Sequence, residues 1–288
     1  MFPAAFEYHR PSSLDEALAL LASFGADGKV LAGGQSLIPL MKLRFAAPEH
    51  LIDINHVDGL TGLVEEDGWL RVGALTRHKA LETSELVKER YPAMAAAAPM
   101  ISDPIVRNLG TIGGSLAHAD PAGDWGSVML AMGGHVVLKS ASAERTLPVS
   151  EFLQGTFTTA LEPDELLVEV RVPQPEASSG GAYLKMERKV GDFATVGVAV
   201  QVTMQNGTIG SAAIALTAVG SGNILAEEAG ASLAGKEPNE DAFAAAGALA
   251  AQAADPVSDL RGSADYKRHI VDVFARRGLA RATATAQG

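Results

Sequence analysis

Apolar and polar positions alternate in short helical and extended segments, and the texture changes near residue 176. Leu14, Ala17, Leu18 and Leu21 recur at helical spacing, Ser13 and Glu16 precede or open them at capping-box spacing, and Gly25 follows, so a first helix ending at Gly25 is predicted. Residues 29–32 read as a strand, 36–45 as a helix and 50–54 as a second strand, a small α/β unit. A second unit begins with a strand over 69–75, after which Thr76 is placed to cap a helix over 78–82, with helical segments continuing to about Pro99. Residues 102–124 hold Pro104, Gly110, Gly113, Gly114, Pro121 and Gly123 and are expected to form a long irregular binding loop. Asp124 then caps a helix to Met132, and 135–139 and 165–172 read as strands. Residues 173–181, rich in Pro, Ser and Gly, mark a boundary. The expected domains are 1–176, with parts of about 1–56 and 57–176, and 177–288. In the latter, 195–205 and 208–219 form a hairpin around Asn206-Gly207, followed by helices over about 224–234, 240–253 and 264–283. The fold class is α+β.

Two glycine pairs about eighty residues apart carry the first hint of chemistry: Leu31-Ala-Gly-Gly-Gln-Ser-Leu37 and Gly110-Thr-Ile-Gly-Gly-Ser-Leu116. Such turns can aim backbone N–H groups at one point, and two of them suit the two phosphates of a dinucleotide. This is not the G-x-G-x-x-G of a Rossmann unit, since Gly220-Ser-Gly222-Asn-Ile-Leu225 lacks its third glycine. Nor is Gly230-Ala-Ser-Leu-Ala-Gly235-Lys236 a P-loop, because Glu237 occupies the place of the magnesium-binding hydroxyl; a helix ending at Gly235 is the plainer reading.

Composition narrows the chemistry. A net charge of −11 repels nucleic acid, so a phosphate ligand has to be held locally. With no cysteine, the chain offers no thiolate nucleophile and no cysteine-ligated iron–sulfur cluster, and any such centre belongs to a partner. The start of the chain lacks a basic region followed by an apolar run, which gives the expectation of a cytoplasmic protein. The seven histidines are scattered along the sequence, and no metal site is expected. Ser36 and Ser115 lie in glycine turns without an adjacent base, which speaks against a hydrolase. Asp120 and Asp124 read as paired carboxylates, as turn and cap residues, or as acceptors for ribityl or ribose hydroxyls. Among the cations Lys185, Arg188 and Lys189, Lys185 is the candidate to stabilise a reduced flavin ring, with Phe193 offering an apolar face.

The runs 32–44, 110–115 and Lys189-Val-Gly-Asp-Phe-Ala-Thr195 resemble the FAD-binding medium subunits of aerobic, molybdenum-containing carbon monoxide dehydrogenases, within the xanthine dehydrogenase (molybdenum hydroxylase) family. The resemblance extends in order from Phe6-Glu-Tyr-His-Arg-Pro11 to the last helix. It implies an FAD-binding domain of the vanillyl-alcohol-oxidase (PCMH) type made of two α/β subdomains, then a smaller domain with a three-stranded antiparallel sheet and helices. It also implies non-covalent FAD, its diphosphate between Ala32, Gly33, Gly34, Gln35, Ser36 and Leu37 on one side and Thr111, Ile112, Gly113, Gly114 and Ser115 on the other. By the same resemblance Asp124 contacts the sugar or ribityl chain, Leu167 the adenine side, Lys185 the pyrimidine edge, and Ile101 packs near the isoalloxazine. Molybdopterin would sit in a large subunit and two [2Fe–2S] clusters in a small one, in a dimer of heterotrimers that delivers electrons to a quinone or another acceptor. Such a complex would be cytoplasmic or peripheral at the inner face of the cytoplasmic membrane. Gln35 and Phe193 stand where relatives associated with carbon monoxide oxidation often carry His and Tyr, which leaves an aldehyde or N-heteroaromatic substrate as an alternative to carbon monoxide. Two further alternatives are a stand-alone nucleotide-binding regulatory module and a self-sufficient flavin oxidase.

Overall fold

A computed structural model describes residues 2–288. The first helix, Leu14–Phe24, begins as its cap predicts: the Glu16 N–H donates to Ser13 Oγ at 3.2 Å. The returning Glu16 carboxylate accepts from the Ser12 N–H at 2.7 Å, so the box closes one residue earlier than the Ser13–Glu16 spacing suggests. Ala17, Leu18 and Leu21 are its buried stripe.

Three strands form the first sheet, β1 (Glu7–His9), β2 (Gly28–Leu31) and β3 (His50–Asp53), all parallel with β3 central. The three-residue edge strand β1 is too short to leave a periodic signal in the sequence. A five-stranded antiparallel sheet follows, built from β4 (Leu63–Glu66), β5 (Trp69–Gly73), β6 (His135–Lys139) and β7 (Glu144–Pro148), a ribbon of β8 (Leu153–Gly155) and β9 (Thr158–Thr159) intervening before its central strand β10 (Leu166–Pro173). The order is β4-β5-β10-β6-β7.

Three local expectations fail here for identifiable reasons. Thr76 does not cap the helix His78–Thr83, because its hydroxyl is engaged with the N–H and carbonyl of Gly62; Arg77 takes the cap position without a side-chain bond. Residues 102–124 are not an irregular loop but hold two helices. Pro104–Leu109 is capped by Asp103, and Ile112–His118 by Thr111, whose Oγ1 accepts from the Gly114 N–H at 3.1 Å. Glycine is unfavourable inside a helix, but a Cβ on Gly113 would lie 2.5 Å from that of Ala74, so close packing overrides propensity. Asp124 is not a cap: Gly123 is, and Asp124 begins the helix Asp124–Ala131, every residue of which is buried.

The C-terminal sheet is antiparallel, β11 (Ser179–Glu187), β12 (Ala194–Gln205) and β13 (Thr208–Thr217), with a two-residue fourth strand β14 (Ile224–Leu225) taking the start of the helix expected over 224–234. Asn206 and Gly207 turn the β12–β13 hairpin with positive φ, as expected. The later glycine run serves packing, since a Cβ on Gly230 would meet the Ala212 carbonyl at 2.4 Å and Gly235 turns the chain at φ +73° after the helix Glu227–Ala231. Both faces of β12 are covered. Val196, Val198, Val200 and Val202 face a core shared with the helices Glu240–Ala253 and Ala264–Gln287. Ala199, Ala215 and Tyr183 face the helix Asp124–Ala131 and the central core. A sheet buried on both sides reads as a continuous apolar run, which is the texture of 194–200. The helix Asp124–Ala131 thus joins the two sheets, and the hydrogen bond between Ser127 and Thr217 hydroxyls at 2.5 Å fixes its register. Among the described residues no helix is long and apolar enough to cross a membrane.

His78 supports the second glycine turn from below. Its backbone N–H donates to the Gly110 carbonyl, and its ring Nδ1 accepts from the Trp125 indole at 3.0 Å. Burial, reinforced by Arg107 and Arg77, lowers its pKa from 6.5 to about 4. The unfolded chain therefore takes up this proton before the folded one does. The contribution of His78 is complete above pH 6.5 and is lost as the pH falls toward 4, roughly 3 kcal/mol in all. Chemical denaturation at pH 7 and pH 4.5 should show His78→Gln, which keeps an acceptor for Trp125 but cannot titrate, losing less stability on acidification than the parent chain.

Candidate functional site

The two glycine turns meet. A Cβ on Gly33 would lie 2.3 Å from the Leu109 carbonyl oxygen and 2.7 Å from the Gly110 Cα, and one on Gly114 would lie 3.7 Å from the Ala32 Cβ. Gly34 takes φ +70°, the left-handed conformation that a tight turn into the helix Leu37–Leu43 requires.

The turns are not equivalent. Among the described residues, the N–H groups of Gly33, Gly34, Gln35, Ser36 and Leu37 donate to no acceptor of the chain, and the Gln35 side chain folds back onto the Gly33 carbonyl at 3.1 Å. Such a consecutive series of free N–H groups is an anion nest. In the second turn most donors are spent. Ile112 N–H goes to the Thr76 carbonyl, Gly113 to Ala74, Gly114 to Thr111 Oγ1 and Ser115 to the Thr111 carbonyl. What the second turn leaves unspent is the Ser115 hydroxyl and, on a residue only 2% exposed, the Thr111 N–H and the Thr111 hydroxyl proton. Of the N–H groups and hydroxyls expected at both turns, the N–H groups of residues 112–115 are engaged within the chain.

A strap behind the turns escaped the sequence reading. The Arg77 guanidinium donates to the Leu109 carbonyl and to Asn55 Oδ1, each at 2.6 Å; Asn55 Nδ2 donates to the Ala32 carbonyl at 2.7 Å. Asp53 accepts from Asn55 and from the Tyr8 hydroxyl, and these bonds outweigh burial to hold its carboxyl below the ordinary range. The only signal was Asp53-Ile-Asn55 at the end of a strand, an Asx turn that many loops share.

Ile101, Asp124 and Lys185 form a second cluster. The Lys185 side chain is 2% exposed; its Nζ lies 3.1 Å from Asp124 Oδ2, 2.8 Å from the Met100 carbonyl and 3.6 Å from Glu187 Oε2. Asp124 Oδ1 accepts from Tyr183 at 2.5 Å. Both Asp124 oxygens are therefore committed within the chain, and Lys185 is a paired rather than a lone cation. Burial pushes the Asp124 carboxyl up against the opposing pull of Lys185 and Tyr183, and pushes the Tyr183 phenol well up. Ile101 follows Met100 directly, and Gly191, at φ +84°, brings the 189–195 segment against Ser102. Phe193 is exposed and lines a cleft of about 270 Å³ with Asp120, Arg261 and Lys267. Asp120 holds a turn by accepting from the Ala122 N–H, the turn role that its place before Pro121 suggests. Leu167 stands apart, its side chain 4% exposed and packed in the central core.

The donor set suits a dinucleotide. An open nest of N–H groups next to two hydroxyls fits a diphosphate, and the groove between Ala32 and Gly114 is one that a Cβ at Gly114 would narrow.

Comparison with known proteins shows the family. Residues 4–175 match the family described as FAD binding domain in molybdopterin dehydrogenase, and residues 181–282 match the CO dehydrogenase flavoprotein C-terminal domain. The chain is 44% identical to the carbon monoxide dehydrogenase medium chain of Hydrogenophaga pseudoflava over 97% of each protein. It is 41% identical to the 6-hydroxypseudooxynicotine dehydrogenase complex subunit alpha of Paenarthrobacter nicotinovorans, over 98% of this chain and 96% of that one. The fold superposes on a chain of a solved structure of carbon monoxide dehydrogenase from Hydrogenophaga pseudoflava with a TM-score of 0.96 at 46% identity, covering 99% of each. The chain therefore belongs to the FAD-binding flavoprotein subunits of the molybdenum hydroxylases, a family of oxidoreductases that includes the carbon monoxide dehydrogenase medium chains.

Proposed function

We propose that this chain carries electrons out of a carbon monoxide dehydrogenase. In the complete enzyme carbon monoxide and water would give carbon dioxide, two electrons and two protons at a molybdopterin centre in a large subunit. Two [2Fe–2S] clusters of a small subunit would lead the electrons here, for transfer to a quinone or another acceptor, in a dimer of heterotrimers in the cytoplasm. The absence of cysteine supports this division, because the chain cannot hold such clusters through thiolates. FAD supplies the step between a chain of one-electron carriers and a two-electron acceptor.

The observation that carries the reading is the run of free N–H groups from Gly33 to Leu37 beside Thr111. In this proposal those groups and the Ser36 hydroxyl take one side of the diphosphate, and Thr111 and Ser115 take the other. Ile112, Gly113 and Gly114 shape the second turn by packing rather than by direct donation. Asp124, buried and engaged by Tyr183, fixes the Lys185 ammonium, and that pair with Ile101 and the exposed apolar face of Phe193 borders the ring. Leu167 supports the adenine side through the core. The 41% identity to a 6-hydroxypseudooxynicotine dehydrogenase subunit favours, as a second reading, an N-heterocyclic substrate for the same electron path.

Gly114 is helical, so a side chain there brings no left-handed strain, yet its Cβ would lie 2.7 Å from Thr111 Oγ1. Gly114→Val should lower FAD affinity about ten- to a hundredfold, the effect of ~1–3 kcal/mol of overpacking, with an unchanged circular dichroism spectrum. Full flavin content in the purified variant would contradict the two-turn cradle. The Asp124–Lys185 pair makes a prediction of opposite signs. Lys185→Met removes a positive charge and should lower the flavin midpoint potential, whereas Asp124→Asn should raise it, each by about 30 mV, the equivalent of ~1.4 kcal/mol for two electrons. Shifts of the same sign in a spectroelectrochemical titration would refute the proposed role of the pair. Anaerobic addition of carbon monoxide to the native complex should bleach its flavin, and bleaching by a hydroxylated pyridine alone would select the second reading.

A further inference from the structure

We propose that Glu7, His9 and His50 form a binding site for a divalent transition metal of the zinc type, at the edge of the first sheet and separate from the cofactor groove. Nothing in the spacing of the sequence announces it, because the ligands lie about forty residues apart. The sheet register brings them together. Glu7 and His9, two apart on β1, point to one face, and the parallel pairing sets Glu7 opposite His50 on β3.

The three donor atoms form one compact triangle. His9 Nε2 lies 3.1 Å from His50 Nδ1, Glu7 Oε2 lies 3.5 Å from His50 Nδ1, and the same oxygen lies 3.9 Å from His9 Nε2. A point equidistant from all three is about 2.1 Å from each, which is the length of zinc–imidazole and zinc–carboxylate bonds. Two imidazoles and a carboxylate are a donor set for zinc and its neighbours rather than for magnesium or calcium, which favour oxygen. Three protein ligands leave a position for water.

The rings are also held in place. Phe24 stacks on His50 with centroids 3.8 Å apart and planes 10° from parallel, and packs against His9 at 4.8 Å. Gly28, the neighbour of His50 on β2, adds no side chain to the face. The imidazoles are about four-fifths covered, whereas Glu7 is 75% exposed and faces an approaching ion. Apart from their mutual hydrogen bond, the two rings make no other hydrogen bond among the described residues. Metal binding replaces that bond. It requires His9 with its proton on Nδ1 and His50 with its proton on Nε2, the hydrogen between the rings exchanging to a free ring nitrogen through solvent. The ion would then bolt the three-residue strand β1 to β3 on one face, as the Tyr8–Asp53 hydrogen bond does on the other.

The test uses the untagged full-length chain, stripped with a chelator, incubated with zinc chloride alone and passed through a desalting column before elemental analysis. The proposal expects about one equivalent of zinc per chain, and at least about a tenfold weaker affinity in Glu7→Gln and in His9→Asn, with the FAD content of both variants unchanged. Glu7 is a surface residue, so Glu7→Gln remains informative if the histidine variant misfolds. Less than about a fifth of an equivalent in the parent chain, or equal zinc in parent and Glu7→Gln, overturns the site.

Discussion

The contact between Gly33 and the Leu109–Gly110 backbone is the constraint on which the proposed cofactor groove depends. There is no volume for a side chain between these segments, since a Cβ at Gly33 would fall 2.3 Å from a carbonyl oxygen. Two turns separated by most of an α/β unit are thereby pressed into one groove. Arg77 makes the contact durable by binding the Leu109 carbonyl directly and, through Asn55, the Ala32 carbonyl on the other side. A guanidinium held by two acceptors at once is fixed in direction, so this strap resists separation of the turns. The first turn can then keep five N–H groups uncommitted, because its geometry is fixed from behind rather than by its own hydrogen bonds.

The same economy appears at the second cluster. The helix Asp124–Ala131 is buried along its whole length, and its first residue is a carboxylate in an apolar setting. Such a charge needs partners, and β11 supplies both, Tyr183 and Lys185. Deleting either partner leaves a buried group exposed to the full penalty of desolvation. The pair therefore joins the C-terminal sheet to the FAD-binding part of the chain while fixing one cation of known position. Under the proposed function, fixed charge of this kind would set the electronics of the cofactor without reorganisation during electron transfer.

Much of this was readable from residue order. The capped first helix, the long hairpin at Asn206-Gly207 and the two glycine motifs carry local signatures, and the family resemblance rests on runs of unbroken sequence. What was hidden depends on residues far apart. The helices inside 102–124 are masked by glycines that the packing against Ala74 and Thr111 requires, so composition pointed to a loop. Thr76 and Asp124 have the right type and place for caps, yet each has a stronger tertiary partner. The Arg77 strap arises from side-chain bonds between segments far apart in the chain and the Glu7–His9–His50 triangle from strand pairing, and no local pattern encodes either. Which donors of the second turn remain free also follows from tertiary hydrogen bonds, and so the inequality of the two turns emerges only in three dimensions.

The central claim is that the first turn supplies the N–H groups and the second the hydroxyls that hold a diphosphate. A crystal structure of the chain with bound FAD tests it most directly. The account predicts diphosphate oxygens within hydrogen-bonding distance of N–H groups between Gly33 and Leu37 and of the Thr111 and Ser115 hydroxyls. A diphosphate seated elsewhere, for example in the cleft of Asp120, Arg261 and Lys267, would contradict it.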